Sequence, residues 1–157
     1  MIKTMNQLFE SGSEDEILAA FQAALDNASE SPFWIEKVIP FSKAILSVLI
    51  PLREQNLLFT PEGKVCEKLD SQLFLQWCDL YSLRFLAFNI QRSNSEKKLV
   101  KSEYDELTCK RYKEINLEIL GSYLSSYSVD LQNQMVDFPI TNYNLHVGIT
   151  DLIKKII

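Results

Sequence analysis

Three cysteines, one histidine and a few clusters of acids and bases are the groups in this 157-residue chain whose types could carry chemistry. Cys66, Cys78 and Cys109 are odd in number, widely separated and form no C-x-x-C pair, so the spacing that a disulfide framework or a zinc site needs is missing. They are expected to be buried free thiols in a reducing compartment. A tetrahedral metal site or a nucleophile-base pair would need partners that the sequence does not place beside His146, its single histidine. A solvated or locally bonded ring is the expectation there. The acids from Glu14 to Glu16 and at Asp105-Glu106 sit at a helix start or on a charged face, where solvation explains them better than acid-base work. No G-x-x-x-x-G-K-S/T loop, G-x-G-x-x-G, G-x-S-x-G or H-E-x-x-H occurs, and glycines at 12, 63, 121 and 148 are too scattered to cradle a phosphate. The sequence therefore carries no expected catalytic residue, cofactor site or metal site, and a binding role is the expectation.

Charge narrows what could be bound. A formal charge of −5 and a pI near 4.9 disfavour a protein that grips nucleic acid over its whole face. Between Lys3 and Lys37 lie Glu10, Glu14, Asp15, Glu16, Asp26, Glu30 and Glu36 and no base, whereas residues 96–114 mix six bases with five acids. The candidate partner contacts are the bases of that second segment, Lys97, Lys98, Lys101, Lys110 and Arg111, with a solvated face, a protein contact and nucleic acid as their three possible uses. Trp34, Trp77 and Tyr81 could line a ligand pocket, although aromatic residues at helical spacing usually fill interiors. Arg84 is expected to find an acid on another helix, since Asp79 stands five residues away.

These groups must be positioned by helices. With 46% hydrophobic residues but only four Gly and five Pro, the chain can build a core and has little material for tight turns, which implies an all-α, compact multi-helix bundle. Ser13 and Glu16 form a capping box, and Ile17, Phe21, Leu25 and their neighbours then make one stripe, so a helix is expected to about Asn27. Ser31-Pro32 starts the next, with a break or kink at Pro40 and a stop near Pro51. Thr60-Pro61-Glu62 predicts a short helix. Asp70-Ser71 opens a long one near residues 71–91, apolar on nearly every side and expected to be the central buried helix. A charged helix over about 102–127, an irregular stretch over 129–139 and a last helix from Thr141 complete the series. Residues 1–9 show no cap. The apolar run from Ala44 to Leu52 is too short to span a bilayer, and the first nine residues lack the layout of a signal peptide.

From Asn6 to Ile90 the chain resembles the all-α domain of type IV secretion coupling proteins, the TraD/TraG-like ATPases. The matching residues are Asn6 and Leu8 of an N-x-L segment, Gly12-Ser13, the Phe33-Trp34 pair, Leu52-Arg53, and the turn Leu58-Phe59-Thr60-Pro61-Glu62. Tyr123-Leu124 with Gln132 and Gln134 weakly echoes the family's Y-L segment. Where the family often has Arg-Ala two residues after the aromatic pair, this chain has Glu36-Lys37-Val38, so Cag-like, Dot/Icm-like and conjugative systems all stay open. The resemblance implies that residues 1–157 are a single all-α domain excised from a larger ATPase, with residues 1–12 and 140–157 adjoining the motor. It implies a cytoplasmic position at the face of the bacterial inner membrane through a homo-hexameric parent, and no direct membrane contact by this segment. Its partner would be secretion cargo, an adaptor or a regulatory protein, in effector recruitment for virulence or in conjugation. A DNA-binding helical domain of a conjugative coupling protein is the alternative, weakened by the acidity because each phosphate contact needs a positive group.

Overall fold

A reciprocal cap starts the chain's first helix. In the computed structural model, which describes residues 3–62, 64–79, 82–83, 115–125, 129–130, 135–136 and 140–157, the Thr4 hydroxyl accepts from the Gln7 amide at 3.2 Å and Gln7 Oε1 accepts from the Thr4 amide at 2.7 Å. Helix α1 (Met5–Ser11) is therefore capped, against the expectation of no cap before Phe9. The same arrangement recurs, as expected, at Ser13 and Glu16 of α2 (Glu14–Asn27), with bonds of 3.1 and 3.3 Å. Between the two helices only a glycine fits, because a Cβ on Gly12 would lie 2.7 Å from the Leu8 carbonyl oxygen.

Helix α3 (Pro32–Glu54) starts at the expected proline and then departs from expectation. It runs unbroken through Pro40 and Pro51 and ends three residues past the second. A proline inside a helix costs about 3 kcal/mol. Against that cost α3 buries Val38, Phe41, Ile45, Val48, Leu49 and Leu52 among others, each contributing about 1.5–3 kcal/mol, so packing outweighs the two prolines. This helix packs against α2 and two later helices and holds the centre of the bundle. Helices α2 and α3 both close without glycine. Ser29 and Asn56 each adopt φ 58° just past the last turn, and the amides that follow them reach back to Leu25 and Leu52 at 3.1 and 2.8 Å.

The turn at Thr60-Pro61-Glu62 is a hairpin rather than the expected short helix. The Thr60 amide donates to the Lys64 carbonyl at 2.8 Å, the Lys64 amide donates to the Thr60 hydroxyl at 3.1 Å, and Phe59 bridges Val65. Flanking residues that pair across the turn leave no run for a helix. Asp70 then caps α4 (Ser71–Gln76) as expected, accepting from Leu73 at 2.8 Å. Leu73, Phe74, Trp77, Cys78 and Leu83 are buried as the sequence pattern requires, but the segment does not form one continuous helix. It turns at Trp77-Cys78, and Asp79 accepts from the Ser82 amide and hydroxyl at 3.1 and 3.2 Å, capping a new helical turn. The rest of the helix expected to reach residue 91 lies outside the described residues.

Most of the charged helix expected over 102–127 also lies outside them. Its end is described: residues 115–117 are not helical, Asn116 Oδ1 accepts from the Glu118 amide at 2.8 Å, and helix α5 (Glu118–Ser125) begins there. The stretch expected to be irregular contains a two-residue antiparallel pair, β1 (Val129–Asp130) with β2 (Met135–Val136). The last helix, α6 (Ile140–Ile156), matches expectation and buries Ile149, Leu152 and Ile153. The fold is all-α. Its core is knitted by the rings of Phe9, Phe21 and Phe74, from α1, α2 and α4, with centroids 5.1 to 6.0 Å apart. Among the described residues no helix is long and apolar enough to cross a membrane.

Candidate functional site

The residues that carry the family resemblance are joints between elements. Asn6 Oδ1 accepts from the Ser71 amide at 2.9 Å and ties α1 to the start of α4. Arg53, whose side chain is 10% exposed, donates from Nη1 to the Phe9 carbonyl at 2.8 Å and pairs through Nη2 with Glu54 at 2.6 Å, which fixes the end of α3 on the end of α1. Trp34 packs where only a glycine leaves room, at Gly148 in α6. Phe59 supplies the carbonyl that accepts from Trp77 Nε1 at 3.1 Å. Each of these groups is spent on another part of the same bundle.

The two tryptophans are not brought into one pocket. Trp34 packs edge-on to Phe33 and the buried Trp77 edge-on to Phe59, while Tyr81 and Arg84 lie outside the described residues. Phe33 is half exposed, with Lys37 Nζ 5.6 Å from its ring centroid.

Cys78 and His146 meet in the interior between α4 and α6, yet they do not form a nucleophile-base pair. The thiol donates to the Phe74 carbonyl at 3.3 Å, and the imidazole bonds to the backbone of Cys78. Burial pushes the thiol far up, only slightly opposed by Lys154, so the sulfur stays protonated and poorly nucleophilic. Burial holds His146 down, to about 4, against the opposing pull of Asp79 and the bond to Cys78, so the ring is neutral at pH 7. The ring packs T-shaped against Phe41 with centroids 5.2 Å apart, so His146 is a buried and locally bonded histidine. Cys66 is half-buried and free, raised by burial and then by Asp70 and Glu62, and Cys109 lies outside the described residues. Among the described residues no cluster of His, Cys, Asp and Glu is arranged to hold a metal ion.

A different place has unfinished chemistry. Where the start of α2 meets α3 and the lead into α5, a half-open cleft of about 300 Å³ is lined by Glu14, by Leu46, Ser47, Ile50 and Pro51 of α3, and by Asn116 and Ile119. Ser47 is already satisfied, donating to the Ala44 carbonyl at 2.6 Å, and Asn116 uses its carbonyl oxygen on Glu118. Ile119 is 44% exposed on the rim. Glu14 Oε1 is shut off from solvent and has no hydrogen-bond partner.

Sequence reasoning placed Glu14 on the wet side of its helix and missed the cleft, whose walls come from positions about 30 and 100 residues downstream. The signal that could have pointed there is the long run of acids without a base. The bases singled out instead, Lys97, Lys98, Lys101, Lys110 and Arg111, all lie outside the described residues. No protein-family model, no curated protein and no solved structure matches the chain.

Proposed function

We propose that the chain is a protein-recruiting all-α domain of the kind that type IV secretion coupling ATPases carry, one that meets cargo, an adaptor or a regulator at the cytoplasmic side of the channel while ATP is hydrolysed elsewhere in a hexameric parent. The observation that carries this reading is the joint between α1, α3 and α4. Of the residues of the resemblance, Asn6 ties α1 to α4 and Arg53 ties α3 to α1, while Gly12 and Ser13 shape the turn into α2, which supports a shared fold more strongly than shared helix composition would. Helices α1 and α6 both pack on α2 and α4, an arrangement compatible with a domain inserted into a larger protein. The acidic stretch from Glu10 to Glu36 favours a protein partner over nucleic acid, since a phosphate backbone would be repelled there. The test is the full reading frame together with affinity capture from the intact secretion machinery. A phosphate loop upstream, a second motor segment downstream and recovery of an adaptor, effector or regulator are expected. A reading frame without a motor would overturn the proposal.

A further inference from the structure

We draw no further inference here: the strongest candidate, the surface patch at the junction of α3 and α6 where exposed Phe33 stands beside Trp34 and exposed Val147 beside the Gly148 that seats it, is an apolar face and nothing in the structure shows what covers it.

Discussion

Helices α2 and α3 each take part in two regions of opposite character. Toward α1 and α4 their groups are matched: Phe21 closes against Phe9 and Phe74, Arg53 bonds the Phe9 carbonyl, and Ser13 and Glu16 satisfy each other. Toward α5 the same two helices leave a half-open trough rimmed by an exposed isoleucine, and one oxygen of Glu14 is buried there without a partner. Matched packing and unfilled surface are thus separated by helix face. Asn6 and Arg53 lie on the matched side, where they are consumed in joining elements, and unfilled surface lies on the other.

The matched side should break hardest. Phe74 is fully buried with two aromatic neighbours, so Phe74→Ala removes both ring contacts and leaves a cavity; the expected loss is about 3–5 kcal/mol by urea unfolding followed by circular dichroism. That is a large part of the roughly 5–15 kcal/mol that holds most domains folded. A loss under about 1 kcal/mol would mean that the aromatic junction is loose. Arg53→Met tests the polar half of the same junction. It keeps the stem but strands the Phe9 carbonyl, and about 1.5–3 kcal/mol should be lost, with hydrogen exchange quickening first in α1. Unchanged exchange in α1 would show that the tie is ornamental.

His146 sharpens the comparison through pH. Its folded pKa, about 4, lies below the unfolded value of about 6.5, so the unfolded chain binds the proton more readily. Stability is therefore fully present above the unfolded pKa and is lost as pH falls toward the folded one. The expected loss is about 2 kcal/mol between pH 7 and pH 5. His146→Gln cannot titrate, and its stability curve should be flatter over that window. A wild-type curve just as flat would place the ring in solvent.

The sequence made the matched side largely legible, because caps and stripes are local. Ser13 and Asp70 announce their helices within three residues of the bonds they make, Pro32 announces its own by lacking an amide hydrogen the first turn could not use, and apolar spacing identified Ile17, Phe21 and Leu25 as core. Thr4 used the same grammar with glutamine at the third position. Where reading failed, a longer-range effect won: the burial along α3 carried it through Pro40, and pairing of Phe59 with Val65 turned a helix-like Thr-Pro-Glu into a hairpin. The cleft was illegible for a stronger reason. It joins position 14 to 46–51 and 116–119, and no periodicity relates those numbers; only Asn116, as a side chain that caps the helix starting at Glu118, left a local trace.

Glu14 gives the smallest effect on stability and the sharpest contrast. At the first turn of α2 its carboxylate gains about 0.3–1 kcal/mol from the helix dipole, while an unsatisfied buried oxygen costs about 1–3 kcal/mol. Glu14→Leu removes both and adds apolar surface beside Leu46 and Ile50, so stability should hold or rise by up to about 1 kcal/mol in urea unfolding. Arg53→Met, on the other face of the same scaffold, should move it in the opposite direction. If Glu14→Leu instead destabilised the protein by more than about 1 kcal/mol, the carboxylate would be a structural group like those at the joint, and the distinction between the two faces would collapse.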